Sequence, residues 1–345
     1  MSITDTLAEL IDIPSVTGDE EEIATAIEFR FRGRFPTQRI GNSVIVGAPA
    51  DDRAFVALYG HTDTVPEQGN RPHRIENGRM AGLGASDMKA GIAVMIHLLE
   101  DQGDAPLGLV GVFYDKEEGP AVENGLEGVL NEVSWLAGAE LSVVLEPTDL
   151  HLEMGCNGVI NADVVFAGHA AHSARPWLGE NAVTKAGRWL ADMHEREPEV
   201  FEVGGLDFRE VFSVTKAEGG IANNVLPSTF VVNLNHRFPP LFDVDEAEAR
   251  LRSAAAAADE IVVKDRAPGA GVPADNAHLQ RLAALVGSEV RSKQGWTDVA
   301  RLSARGIPAV NYGPGEVAQA HQASESVAID NLAVAHDVLV ELVQG

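Results

Sequence analysis

The sequence predicts an α/β chain of two domains: a discontinuous mixed-sheet α/β domain and a ferredoxin-like α+β domain inserted into it. Three observations carry this. Short apolar runs alternate with a helical pattern in the first half of the chain, as in an open α/β sheet. Glycine- and proline-rich punctuation brackets a middle segment that has its own strands and helices. Two histidines suited to one site, His61 and His321, lie on opposite sides of that segment. A shared site therefore requires the outer domain to be built from both ends of the chain.

The elements follow in order. Phe55–Tyr59, Leu107–Tyr114 and Leu141–Leu145 read as buried strands, with Ala309–Tyr312 near the C-terminus. Between the first two, Ile92, Met95, Ile96 and Leu99 recur at helical spacing and predict a helix from about Lys89 to Glu100. Ser86 or Asp87 is suited to cap its start. Gly155-Cys156-Asn157-Gly158 and Arg266–Ala274 are the clearest breaks. Between them, Val159–Phe166, Val211–Lys216, Phe230–Phe238 and Ile261–Lys264 read as strands, and Asn181–Arg196 and Asp243–Ala258 as helices. That β-α-β-β-α-β order is ferredoxin-like. The expected boundaries are 1–157 with 268–345 for the outer domain and 158–267 for the insertion.

Composition narrows the function. The 345 residues hold 26 Lys and Arg against 52 Asp and Glu, a net charge of -26. Such a field opposes nucleic acid and anionic membrane as partners, and an anionic substrate would need local arginines. Cys156 is the only cysteine, which excludes an internal disulfide and a cysteine-built metal site. It reads as a small buried residue at the junction of the two domains. The first residues, Met1 to Leu10, have neither the basic nor the apolar stretch of a secretory signal, and no apolar run approaches a membrane span. The expected compartment is the cytoplasm. Gly82-Leu83-Gly84 lacks the rest of a phosphate-binding glycine pattern, and no Gly-x-Ser-x-Gly elbow supports a serine hydrolase.

Candidate chemistry gathers at strand ends. His61 and Asp63 emerge from the first strand two residues apart, on one face. Asp87 precedes the helix, Glu117-Glu118 follows the second strand, Glu146 follows the third, and His321 lies beyond the fourth. Ligands in open α/β sheets bind beyond the carboxyl ends of the strands, and scattered surface acids would not gather there. Imidazoles and carboxylates without thiols suit Zn²⁺, Co²⁺ or Mn²⁺. The set is too large for one tetrahedral zinc with an open position, and suits two ions sharing a carboxylate. Of the adjacent Glu117 and Glu118, one can bind metal while the other faces the pocket as a base.

Gly60-His61-Thr62-Asp63-Thr64-Val65-Pro66, Gly84-Ala85-Ser86-Asp87-Met88-Lys89-Ala90, Glu117-Glu118-Gly119, Leu145-Glu146-Pro147-Thr148 and Gly315–His321 occur in that order. Together they resemble the di-zinc family that contains aminoacylase, acetylornithine deacetylase, glutamate carboxypeptidase and succinyl-diaminopimelate desuccinylase. The resemblance spans nearly the whole chain. It implies two Zn²⁺ per subunit, with Co²⁺ an option for one of them. His61 and Glu146 would hold one ion, Glu118 and His321 the other, and Asp87 would bridge them. Glu117 would be the general base and Asp63 the partner of the His61 ring.

The resemblance extends to the insertion. Gly168–Pro176 looks like a lid motif whose histidine, His172 on spacing to Pro176, helps to stabilise the oxyanion at the partner subunit's site. A homodimer is thereby implied, with the insertion as lid and dimerisation domain. Asn223, Asn224 and Arg237 are similar to residues that bind the substrate's polar groups, and Arg175 and Thr297 join that expected set. The segment Gly295–Leu302 departs from the Gly-Gly-Thr-Ser-Asp form of many relatives and looks like the desuccinylase branch. The expected substrate is thus a small anionic N-acyl amino acid, N-succinyl-LL-2,6-diaminopimelate, hydrolysed in diaminopimelate and lysine biosynthesis. The alternatives are another deacylase such as acetylornithine deacetylase, a dipeptidase, or a metal-binding relative without catalysis. The last is disfavoured because a binding-only site needs no base at Glu117.

Overall fold

The computed structural model describes residues 1–49, 53–103 and 105–344. The chain divides into two compact units. The first comprises Met1–Met154, Pro273–Arg291 and Thr297–Gly345, and the second Gly155–Val272 with Ser292–Trp296. The short stretch Ser292–Trp296, expected with the outer domain, packs with the insertion.

The strands of the first unit's N-terminal part are β1 (Thr37–Ile40), β2 (Ser43–Val46), β3 (Phe55–His61), β4 (Arg74–Glu76), β5 (Arg79–Ala81), β6 (Gly108–Tyr114), β7 (Leu141–Val144) and β8 (Glu153–Met154). The middle of the chain supplies β9 (Gly158–Ala167), β10 (Glu199–Val203), β11 (Leu206–Gly219), β12 (Thr229–Phe238) and β13 (Glu260–Ala267). Then follow β14 (Arg291–Ser292), β15 (Ala309–Asn311) and β16 (Ser326–Ala328).

Eight strands form a mixed sheet in the order β1-β2-β6-β3-β7-β15-β8-β14. Its centre is parallel: β3 pairs with β6 and β7, and β7 with β15. Every residue of β3, β7 and β15 is buried, the signature of parallel strands covered on both faces. These strands end together, with His61 opposite Tyr114 and Val144 opposite both Tyr59 and Asn311. Residues just beyond those ends therefore converge. The helix Lys89–Asp101 is buried from Lys89 to Leu99. A side chain at Gly91 would collide with the backbone oxygen of Leu145, so glycine lets this helix approach the strand end that delivers Glu146.

A second small sheet matters to the site. β16 pairs with β5 and β5 with β4, all antiparallel. It fastens the chain that follows His321 to the chain that leads into Asp87. No helix among the described residues is long and apolar enough to cross a membrane.

The second unit is one antiparallel sheet, β10-β11-β12-β9-β13. β9 alternates buried and half-buried positions, the period of a strand with one covered face. Ile160, Ala162, Val164 and Phe166 pack there with Trp189, Val232, Leu234 and Leu251. Removing β10 leaves the ferredoxin-like arrangement expected from the sequence. The extra strand forms a hairpin with β11 across Gly204 and Gly205, both at positive φ, a turn that glycine makes without strain.

Three local expectations need correction. The helix at Lys89 has Met88 at its N-cap and no side-chain cap bond; the Ser86 hydroxyl is engaged with the Glu316 backbone instead. The helix expected over Asn181–Arg196 is two, Ala182–Lys185 and Gly187–His194, broken next to a residue with poor helix propensity. The helix after Asp243 stops at Ala254, short of the alanine run's end. Asp259 draws the chain back to the sheet there, its N–H bonding Val165 O and its carboxylate accepting from Ala167 and Lys185.

Candidate active site

The convergence of strand ends in the first unit assembles the candidate site. His61, the last residue of β3, is 1% exposed. Its Nδ1 lies 3.0 Å from the Asp63 backbone oxygen, and its Nε2 is 3.2 Å from Asp87 Oδ1 and 3.9 Å from Glu146 Oε1. The other Asp87 oxygen faces a second imidazole, with Oδ2 3.5 Å from His321 Nε2. That same Nε2 is 2.9 Å from Glu118 Oε1. Ligand atoms of His61, Asp87 and Glu118 all lie within 4.8 Å of one another. One carboxylate thus addresses two histidines with separate oxygens.

Asp63 has a second task besides the one its spacing suggests. Its Oδ1 is 3.5 Å from His61 Nδ1, longer than the 3.0 Å contact to its own carbonyl. The carboxylate also accepts from the backbone N–H groups of Glu117 at 2.9 Å and Glu118 at 3.0 Å, and from the Thr17 hydroxyl at 2.9 Å. The turn it holds begins at Lys116, which takes a positive φ of 59° without being glycine.

Charge in the cluster is unbalanced. Burial opposes ionisation of His61, yet Asp63 and Asp87, with Glu146 and Glu117 near, raise its pKa well above the usual value. Asp87 and Glu118 raise that of His321 to about 10. Burial works against ionised Asp87, but His321 and His61 outweigh it and hold the carboxyl low. Glu117 moves the opposite way: burial, then the Glu146, Asp298 and Glu118 charges, raise it well above the usual range despite His61. Carboxyls driven apart by their surroundings mark acid–base division of labour. Two imidazoles set 2.9 to 3.9 Å from the carboxylates of Asp87, Glu118 and Glu146 make a nitrogen-and-oxygen donor set that suits divalent cations. The residues therefore fit a metal centre.

Further residues support the cluster. Glu325 accepts from the backbone N–H groups of Gly84, Ser86 and Asp87 at 2.8, 2.8 and 2.9 Å. Burial, against those bonds, raises its pKa to about 7. The Tyr114 ring meets His61 edge-on at 6.3 Å. Behind it, buried Asp298 accepts from Asn124 Nδ2 at 3.0 Å and pairs with Arg301 Nε at 2.7 Å. Nothing in the sequence alone singled out Glu325, an acceptor of backbone N–H groups, or Thr17, whose hydroxyl donates to Asp63, since neither role has a residue-type signature.

Of the expected substrate contacts, Thr297 lies in the first unit and is buried at 3% exposure. His172, Arg175, Asn223, Asn224 and Arg237 belong to the second unit. There, His172 is exposed and bridges to Val225 through its backbone, next to a bond from Ser173 N–H to Asn224 O. The Ala174 N–H donates to His172 Nδ1 at 3.1 Å, which leaves Nε2 free of that bond. Arg175 and Asn223 are exposed in the same paired segments. Arg237 stands on β12, its Nε donating to Asn235 Oδ1 at 3.1 Å.

The fold and this cluster are those of a metallopeptidase-type α/β enzyme, and the chain belongs to the peptidase family M20/M25/M40, whose sequence profile matches residues 57–345. The chain is 38% identical over 343 residues to a Mycobacterium tuberculosis protein provisionally named the succinyl-diaminopimelate desuccinylase DapE, covering 98% of this chain and 97% of that one. It is 37% identical over 336 residues to the succinyl-diaminopimelate desuccinylase of Corynebacterium glutamicum, with 94% and 91% covered. The acetylornithine deacetylase of Myxococcus xanthus is 30% identical over 328 residues, with 89% and 84% covered. Among solved structures, aminopeptidase PepT from Bacillus cereus superposes with a TM-score of 0.78 at 20% identity, covering 99% of this chain and 97% of that one. The Bacillus subtilis YXEP protein, described as a dinuclear metal binding peptidase, gives 0.65 at 16% identity, covering 99% and 96%. At such identities the two structures speak for the fold.

Proposed function

We propose that this chain is a metal-dependent amide hydrolase that removes succinate from N-succinyl-LL-2,6-diaminopimelate. The observation that carries the metal chemistry is Asp87, whose two oxygens face different histidines beside Glu118. The substrate rests on two relatives named for this reaction, 37% and 38% identical over nearly the whole chain. In this reading His61 and Glu146 hold one ion, Glu118 and His321 the other, and Asp87 is shared. Zinc suits both positions, and cobalt is an alternative in one. The enzyme acts in the cytoplasm as a homodimer.

Bound divalent ions would lower the pKa of a water from ~15.7 towards ~7 and polarise the acyl carbonyl. Glu117 takes a proton from the attacking water as its oxygen bonds to the succinyl carbonyl carbon. The C–N bond then breaks, and Glu117 returns that proton to the departing amine. Asp63 holds the backbone of Glu117 next to that of Glu118, which sets the base beside a proposed metal ligand. His172 donates to the oxyanion. Arg237 and Arg175 offer paired N–H groups to the succinyl and amino-acid carboxylates, supplying locally the positive charge that the chain as a whole lacks. Asn223, Asn224 and Thr297 complete the polar contacts.

The deciding experiment compares turnover of N-succinyl-LL-2,6-diaminopimelate with that of N-acetylornithine, in protein whose zinc and cobalt content has been measured. Preference for the succinyl substrate is expected. Equal or faster turnover of acetylornithine in metal-loaded protein would sink the assignment.

A further inference from the structure

The turn that presents Asp87 hangs on a single buried carboxylate. Glu325 is 2% exposed, and its two oxygens together accept three backbone N–H groups from Gly84, Ser86 and Asp87. Its own carbonyl accepts the Gly82 N–H at 3.0 Å, and the next residue, Ser326, starts the strand that pairs with Ala81. Ser86 Oγ and the Glu316 backbone bond each other at 3.0 and 2.6 Å. Gln68 and Asn70 reach the carbonyls of His321 and Gln322. Asp87 and His321 are thus carried on two segments locked together, with Glu325 supplying the carboxylate that holds the Asp87 turn itself and Glu316 a second one, paired with Arg79 at 2.8 Å.

We propose that Glu325 is a positioning residue that holds the Asp87 carboxylate astride two metal ions, so that its loss weakens chiefly the second ion. The inference rests on the reading of Asp87 as a shared ligand. One ion can be held by His61 and Glu146, both anchored at strand ends, with a single Asp87 oxygen. The second needs the other Asp87 oxygen together with His321, and the relation between those two depends on Glu325. Charge-assisted bonds to a carboxylate are stronger and more directional than neutral ones, and residues that orient a ligand typically contribute ~10–100-fold to metal affinity. Glutamine keeps the volume of Glu325 but turns an amide NH₂ towards backbone donors.

Metal-free wild type, Glu325→Gln, Glu325→Asp and Asp87→Ala are titrated with Co²⁺, followed by equilibrium dialysis and by the visible d–d absorption. Wild type should take up two equivalents. Glu325→Gln should bind the first within a few-fold of wild type and the second ~10–100-fold more weakly, with a changed d–d band. Glu325→Asp, which keeps the charge, should fall between. An unaltered isotherm in Glu325→Gln, or equal weakening of both ions with no recovery in Glu325→Asp, overturns the inference. Should the Gln variant not fold, a wild-type isotherm in Glu325→Asp overturns it. Undiminished uptake by Asp87→Ala, or one equivalent in wild type, defeats the shared-ligand reading instead.

Discussion

The Asp63 carboxylate is bound to the backbone of Glu117, with Oδ1 2.9 Å from its amide nitrogen. Its other oxygen accepts from Glu118 N–H and the Thr17 hydroxyl. Asp63 therefore places the base and its neighbour as a unit, while its carboxylate also raises the pKa of the His61 ring. Asp63→Asn can serve only part of this set, because its NH₂ must oppose one donor. The expected result is a loss of ~10–100-fold in kcat with metal content retained. Loss of metal with kcat per bound ion unchanged would make support of the His61 ring the main role of Asp63.

Glu117→Gln removes the base and spares the proposed ligands. Turnover should fall by ~10²–10⁴-fold, the usual contribution of a general base, while elemental analysis still finds wild-type metal. Because Glu117 is buried among Glu146, Asp298 and Glu118 charges, neutralising it should not unfold the protein. A rate near that of wild type at saturating substrate would remove Glu117 from the mechanism.

How much of this was legible in the sequence depends on what holds each part. The parallel strands were readable because full burial leaves uninterrupted apolar runs, and the grouping of His61, Glu118 and Glu146 follows from where those runs stop. Supporting bonds were not. Glu325 and Asp87 lie 238 residues apart, and backbone donors leave no trace in residue type. The Ser86 cap was misjudged because a tertiary partner, Glu316, outbid the local helix end. β10 was missed although Gly204-Gly205 marks its hairpin, since its residues are mostly exposed and its two glutamates blunt the apolar pattern.

In the second unit, buried Glu210 predicts a pH dependence separate from catalysis. Burial disfavours its charge, but Arg250 and His236 reverse this and lower its pKa to about 2. The contacts are to Arg250 Nε at 2.7 Å and His236 Nε2 at 2.8 Å. A depressed folded-state pKa contributes stability that is fully present above the unfolded value of ~4.3. That stability is lost as pH falls towards about 2. Glu210→Gln should cost about 3 kcal/mol at neutral pH, as when one partner of a buried pair is removed. The gap from wild type in denaturant unfolding should close between those two pH values. A gap independent of pH would mean that packing, not the ion pair, is what the variant disturbs.

The proposed role of His172 is testable through the dimer. The Ala174 N–H bond to Nδ1 fixes one ring nitrogen as acceptor, which leaves Nε2 as the N–H donor that an oxyanion requires. His172→Ala should lower turnover by ~10²–10³-fold, the usual loss of one oxyanion donor, with metal content unchanged because the residue is no ligand. If His172 of the partner subunit completes each site, mixing His172→Ala with Glu117→Gln makes heterodimers of two unlike sites. One site then carries both defects and the other carries neither, so activity should return as subunits exchange. Recovery towards half the wild-type rate per heterodimer is expected. Demonstrated exchange without recovery would place His172 at its own subunit's site or outside the reaction.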